Sequence, residues 1–281
     1  MSLLVFGQSG QVARALARLA PEAVFLPRSA ADLSDPDACA AAIHAKRPGA
    51  VINAAAWTAV DTAEADEAAA AVINAAAPAA MARACAELAI PFLTISTDYV
   101  FDGSGDTPWT PDAPTAPINA YGRSKRAGER AVQAAGGQAA ILRTSWVFSS
   151  EGANFLKTML RLSETRDALD VVDDQIGGPT PAESIARAAL TITDAMARGR
   201  PGGIWHIAGR PYVSWAGFAE WIFACAGRKV TVNPIPTAAW PTPAPRPLNS
   251  RLDCTTLARD FALGQPDWKA QARADIRRLL A

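Results

Sequence analysis

The chain has 281 residues, half of them apolar, with 27 basic and 27 acidic side chains. That length suits one large or two modest domains, and the apolar share excludes a disordered chain. The balanced charge supplies no global field that would draw the protein to nucleic acid or to a membrane surface.

Residues 2–6 form a short apolar run that ends at Gly7. Gly7-Gln-Ser-Gly10-Gln-Val-Ala13 follows, and a helical repeat runs on through Val12, Leu16 and Leu19. Strand, glycine-rich turn and helix in that order let a pyrophosphate reach the backbone and sit at a helix N-terminus. The competing reading is a tight turn with no ligand. The spacing is G-x-x-G-x-x-A, with Ala13 where helix and strand must pack closely. Val24-Phe25-Leu26 predicts a second strand. Dinucleotide folds often place an acid near its end, but here Pro27-Arg28-Ser29 follows. Arg28 and Ser29 suit a 2′-phosphate, which favours NADPH; the alternative is a solvated loop arginine. Asp32 and Leu33 come next, as candidates for the adenine side. A helix then starts at a cap of Ser34 or Asp35, with Pro36 in its first turn.

Ala50-Val51-Ile52-Asn53 predicts a third strand, followed by the small residues Ala54-Ala55-Ala56 and then Trp57-Thr58. A long alanine-rich helix is expected from there to about Leu88, with Asn74 its one unusual polar residue. Pro91–Ile95 is a fourth strand that continues into Ser96-Thr97-Asp98-Tyr99-Val100-Phe101. Hydroxyls at the carboxyl end of such a strand lie where open α/β sheets handle ligands. A proline-rich loop leads to Asn119, a helix cap, and to a helix carrying Tyr121 and Lys125. Ala139–Arg143 is a fifth strand, left by Thr144-Ser145-Trp146-Val147-Phe148. Strands and helices alternating in this way give an α/β fold with a Rossmann-type, doubly wound parallel sheet over residues 1–150.

Residues 151–281 are expected to form mainly a smaller substrate-binding domain, with segments near 180–208 returning to the first sheet. Helices are predicted over 154–162, 182–197 and 214–226, and strands over 169–172, 203–207 and 230–233. Residues 234–247 hold six prolines and predict an extended loop. Arg246 at its end suits a diphosphate or an ordinary surface pair. His206 reads as a core residue.

Tyr121 and Lys125 are four apart, which puts them on one face of a helix. A free phenol, with a pKa of about 10, is a poor acid or base near neutrality. A neighbouring ammonium lowers that value, and a phenol so tuned can exchange a proton with a reacting oxygen. Thr97 is placed to give the same oxygen a second hydrogen bond. An amphipathic helix with one tyrosine and one exposed lysine is the plain alternative.

Cys39, Cys85, Cys225 and Cys254 are scattered without C-x-x-C spacing, which suits reduced thiols and a cytoplasmic protein. The N-terminus lacks the basic region and cleavage site of a signal peptide. No apolar run reads as a membrane span, and no His/Cys cluster suggests a metal.

Gly7-x-x-Gly10-x-x-Ala13, Thr97 and Tyr121-x-x-x-Lys125 together resemble the extended short-chain dehydrogenase/reductase superfamily. G-Q-S-G-Q-V at 7–12, V-I-N-A-A-A-W-T-A-V-D at 51–61 and S-T-D-Y-V-F at 96–101 are more specific. So are Y-G-R-S-K-R-A-G-E at 121–129, L-R-T-S-W-V-F at 142–148, N-F-L-K-T-M-L-R-L at 154–162, D-Q-I-G-G-P-T at 174–180 and P-T-P-A-P-R-P-L-N-S-R-L at 241–252. Within the superfamily this set resembles the dTDP-4-dehydrorhamnose reductases. The resemblance implies reduction of the C4 ketone of a dTDP-sugar by NADPH or NADH, with the sugar nucleotide held between the two domains. It implies Tyr121 as proton donor, Lys125 at the nicotinamide ribose and Thr97 on the carbonyl oxygen. Gly10, Gln11 and Val12 would meet the pyrophosphate, while Ala56, Trp57 and Thr58 would line the cofactor cleft. Asp98, Tyr99 and Trp146 would contact substrate. Some members bind magnesium at a dimer interface through glutamates, one early in the first helix. Val12-Ala-Arg-Ala-Leu16 has no acid there, so no metal is expected, and the chain is a monomer or homodimer. A dehydratase of this fold carries Thr-Asp-Glu, where this chain has Thr97-Asp98-Tyr99. Other readings are a sugar-nucleotide reductase or epimerase of the same superfamily, and a regulatory subunit that binds NADP without turnover.

Overall fold

The apolar runs early in the chain become the inner strands of one parallel sheet in the computed structural model, which describes residues 2–281. In chain order come β1 (Leu3–Phe6), α1 (Gln11–Leu19), β2 (Val24–Leu26), α2 (Pro36–Lys46), β3 (Ala50–Asn53), α3 (Val60–Ala65), α4 (Glu67–Ala71), α5 (Ala77–Glu87), β4 (Phe92–Thr97), α6 (Ala120–Ala134) and β5 (Ala139–Thr144). Then follow β6 (Val147–Phe148), α7 (Phe155–Leu162), β7 (Ala168–Val172), β8 (Ile176–Gly177), β9 (Thr180–Pro181), α8 (Ala182–Ala197), β10 (Gly203–Ile207), β11 (Val213–Ser214), α9 (Trp215–Ala226), β12 (Thr231–Ile235), β13 (Asn249–Ser250), α10 (Thr255–Phe261) and α11 (Trp268–Leu280).

The main sheet has the order β10-β5-β4-β3-β1-β2, and every neighbouring pair in it is parallel. All four residues of β1 and of β3 are buried, as strands covered on both faces require. One face carries α1 and α8 over a core that includes Val5, Leu16, Ile52 and Ile185. The other carries α2 and α5 over Leu4, Ile43, Met81 and Phe92. The sheet is thus doubly wound, as the alternation predicts, and β10 returns to it beside β5.

Two expectations are corrected between residues 60 and 88. The alanine-rich run is not one helix. Asp66 ends α3 and caps α4, its side chain accepting from the Ala69 amide at 3.0 Å. One π-helical turn, Val72–Ala76, then joins α4 to α5. The segment Glu67–Glu87 is also long and apolar enough to cross a membrane by length and composition. Here it is a core element packed against α2 and α6, which is why its alanines are apolar without facing lipid.

A separate core gathers Phe148, Leu156, Phe218, Ile222, Phe223 and Trp268 from β6, α7, α9 and α11. The Trp268 ring is fully buried, packs edge-on against Phe218 and Trp221, and donates from Nε1 to the Pro211 carbonyl at 2.7 Å. Trp268→Ala is expected to cost about 3–5 kcal/mol, read as a lower midpoint in urea with an unchanged slope. The proline-rich loop is less irregular than its composition suggests. Pro234 lies within β12, which pairs only with β7, an edge position where proline is tolerated. A 3-10 turn follows at Thr237–Ala239.

Candidate active site

A cleft of about 1010 Å³ opens at the carboxyl ends of β1, β3, β4 and β5. Gly7 leaves β1 with φ +103°, a conformation that side chains disfavour. An added Cβ would also lie 3.3 Å from Ala55 Cβ. The turn therefore runs close over Ala54 and Ala55, and Gly10 ends it as the cap residue of α1. Gly7 to Val12 line the cleft, so backbone amides and a helix start face the place where a pyrophosphate would lie. The Gln11 side chain does not face that place. Its Oε1 accepts from Ser149 Oγ at 2.9 Å and Asn154 Nδ2 at 2.8 Å, so it ties the turn to the segment before α7. At the outer end Arg28, Asp32 and Leu33 line the same cleft. Arg28 donates to Asp32 at 2.9 Å, and its own side chain is 81% exposed. The Ser34 amide, followed by Arg28, holds the Asp32 carboxyl down to about 2.

Thr97, Asp98, Tyr99, Tyr121 and Lys125 meet at the inner end. Thr97 is the last residue of β4, two residues further along the strand than the sequence suggests. Its Oγ1 accepts from the Tyr99 amide at 3.2 Å and donates to Asp98 Oδ1 at 3.1 Å. Asn119 caps α6, accepting from the Gly122 amide at 2.7 Å. At Gly122 a Cβ would fall 2.2 Å from the Tyr99 carbonyl oxygen. Only glycine lets the helix come this near, and the close approach sets the Tyr121 ring edge-on to Tyr99 at 5.6 Å. Lys125 Nζ donates to the Ile95 carbonyl at 2.7 Å.

The electrostatics correct one expectation. The Tyr121 phenol is not lowered by Lys125. Burial pushes it well above its ordinary range; the Thr97 hydrogen bond acts downward and the Asp98 charge upward. Burial also pulls the Lys125 ammonium down, to about 8, against the pull of Glu129. Desolvation exceeds the charge effect in both groups. Asp98 is pushed up to about 6, again by burial, with Ser250 and Thr97 acting against the shift. Its Oδ2 has no hydrogen-bond partner and its side chain lines the cleft.

Two expected contacts are not brought to the cleft. Trp57 is absent from the cleft lining. Asn74 Oδ1 accepts from the Trp57 amide at 2.9 Å, and Asn74 Nδ2 donates to the Trp57 carbonyl at 3.0 Å and to Ser124 Oγ at 2.9 Å. Ala56 and Thr58 on either side do line it. Arg246 also lies outside the cleft lining; it donates to Asp61 at 2.8 Å, its side chain is largely buried, and its charge acts on Tyr99, which does line the cleft. Trp146 lines the cleft, following β5 with φ +48°. Trp215, which sequence reasoning passed over, stacks on it with ring centroids 3.4 Å apart, and both rings line the cleft. A tryptophan directly after the cap Ser214 was the available signal.

The family model described as "RmlD substrate binding domain" matches residues 1–280. A dTDP-4-dehydrorhamnose reductase of Sinorhizobium fredii is 42% identical over 290 residues, an alignment covering 100% of this chain and 98% of that one. The crystal structure of a dTDP-4-dehydrorhamnose reductase from Clostridium acetobutylicum superposes with a TM-score of 0.95 at 34% identity, covering 100% of both chains. One from Bacillus anthracis, solved in complex with NADP, gives 0.90 at 32% identity, covering 100% of this chain and 99% of that one. Matched along nearly its whole length, the chain belongs to the RmlD substrate binding domain family.

Proposed function

We propose that the protein reduces the C4 ketone of dTDP-4-dehydro-β-L-rhamnose to dTDP-L-rhamnose in dTDP-rhamnose biosynthesis, with NADPH, or NADH in its place, as the reductant. The observation that carries this reading is the meeting of Thr97, Tyr121 and Lys125 in the same cleft as the Gly7–Gly10 turn. The cleft suits the dinucleotide: Gly7 has no room for a side chain where the turn runs close to Ala54 and Ala55, and Arg28, 81% exposed and paired with Asp32, stands at the rim where a 2′-phosphate would compete for it. NADPH supplies the hydride when bound.

The residues of the chain supply the rest. Thr97 Oγ1 donates a hydrogen bond to the ketone oxygen and stabilises the negative charge that grows there. Tyr121 passes its hydroxyl proton to the same oxygen. For that direction the raised phenol pKa is an advantage, since it keeps the proton on Tyr121 until an alkoxide forms to take it. Lys125 would hold the nicotinamide ribose beside the phenol. Asp98, with one unpartnered carboxyl oxygen, is placed to bind a sugar hydroxyl, and the Trp146–Trp215 stack walls the sugar site. Tyr99 puts a phenol rather than a carboxylate beside Tyr121, so the base that elimination of water would need is missing.

Incubation with NADPH and enzymatically generated dTDP-4-dehydrorhamnose should oxidise one cofactor per dTDP-rhamnose formed. Cofactor binding without oxidation would instead fit a regulatory subunit. Arg28→Ala should lower the NADPH-to-NADH ratio of kcat/KM by about tenfold, the worth of one charge-assisted hydrogen bond. An unchanged ratio removes Arg28 from 2′-phosphate recognition.

A further inference from the structure

Behind the reacting groups lies a buried charged hub that the steps above do not use. Glu129 and Arg143 are each 1% exposed. Arg143 Nε donates to Glu129 Oε1 and Nη2 to Oε2, both at 2.8 Å. Arg143 Nη1 donates to the Pro111 carbonyl at 3.1 Å and lies 3.3 Å from His206 Nε2. Ser96 Oγ donates to Glu129 Oε1 at 2.6 Å. A buried ion pair is a poor source of stability, because desolvation offsets the attraction and an apolar pair of the same volume often does as well.

Its placement is more informative. Glu129 lies one helical turn beyond Lys125 and two beyond Tyr121 on α6. Ser96 sits between Ile95, whose carbonyl accepts the Lys125 ammonium, and Thr97. One carboxylate therefore joins the helix that carries the proton donor to the strand that carries the carbonyl-binding hydroxyl. Arg143 holds that carboxylate from β5 and reaches the loop that leads to the cap of α6.

We propose that Glu129, held by Arg143, is a positioning residue for the reduction: through Ser96 it fixes residues 95–97 against α6, so that Thr97, Tyr121 and Lys125 keep one geometry. The inference rests on the reductase reading. It also has an electrostatic consequence. Glu129 is the charge acting on Lys125; Arg126 of α6 at 3.4 Å, Arg143 of β5 and His206 of β10 lie around Glu129, and Asp98 acts on Tyr121 instead. His206 is held neutral, since burial and the Arg143 charge push it down to about 3. Removing the Glu129 charge takes away the upward pull on Lys125, so the ammonium is lost at a lower pH.

Ser96→Ala strands no charge and should fold normally. It should lose about tenfold in kcat, the scale of one hydrogen bond, with KM for NADPH within about twofold. Glu129→Gln should move the basic limb of the pH profile of kcat/KM to lower pH. Lysine 13Cε NMR should show the Lys125 midpoint, near 8 in the parent, moving the same way. Should Glu129→Gln fail to fold, Glu129→Gln with Arg143→Met removes the stranded guanidinium and gives the same readouts. Wild-type kcat in Ser96→Ala, or an unmoved Lys125 midpoint in a folded Glu129 variant, would overturn the proposal. A purely structural role would lower Tm and leave kcat of Ser96→Ala at the wild-type value. The NMR titration needs no turnover, so failure of the wild-type enzyme to oxidise NADPH would count against the reductase reading and leave this one separately tested.

Discussion

Tyr121→Phe is expected to lower kcat by about 10²–10⁴-fold, the range for loss of a positioned general acid, while the Kd for NADPH stays within about threefold, since one hydroxyl outside the pyrophosphate cradle is removed. The ring can stay where it is. Its edge-on contact with Tyr99 and its place on α6 depend on Gly122 and the Asn119 cap, not on the hydroxyl. What goes is the proton. Asp98, the other acid lining the pocket, is tied to Thr97 through Oδ1. Single-turnover kinetics with saturating NADPH separates the two quantities. Near-normal turnover would mean that another group gives the proton.

Thr97→Val should cost about 10²–10³-fold in kcat, the scale for one donor to a developing oxyanion. Valine keeps the shape of threonine, so the effect reports the hydroxyl. The same hydroxyl accepts from the Tyr99 amide and donates to Asp98, so its loss also loosens the start of the segment that follows β4. Thr97→Ser restores the oxygen and should recover activity to within about tenfold of wild type, the methyl group accounting for the remainder through rotamer freedom. A Ser variant as poor as the Val variant would show that the oxygen does not suffice without the γ-methyl that fixes its rotamer.

The elements that sequence patterns recovered are those set by local rules. The Gly7 turn, the Asn119 cap, the Tyr121–Lys125 spacing and the buried runs of β1 and β3 each follow from a few neighbouring residues. The misread ones depend on partners far along the chain. An alanine-rich run such as 67–87 has good helix formers at nearly every position, so nothing local shows that the turn at 72–76 is π-helical. That turn places Asn74 between Trp57 and Ser124, contacts that span 17 and 50 residues. The same clamp fixes the Trp57 backbone. Arg246 and Asp61 are 185 positions apart, and their pairing is likewise invisible in either segment alone. The Tyr121 phenol was misjudged for a related reason: spacing names the neighbouring lysine, whereas the depth of burial, which decides the direction, exists only in the folded chain.

The most direct test follows a deuterium atom. With NADPH deuterated at the transferable C4 position and dTDP-4-dehydrorhamnose as substrate, the product should be dTDP-rhamnose carrying one deuterium at sugar C4, with one cofactor oxidised per product, read by mass spectrometry and NMR. Recovery of the ketone alongside bound, unoxidised NADPH, or a product whose C4 hydrogen comes from solvent, would contradict direct hydride transfer at a site built from Thr97, Tyr121 and Lys125.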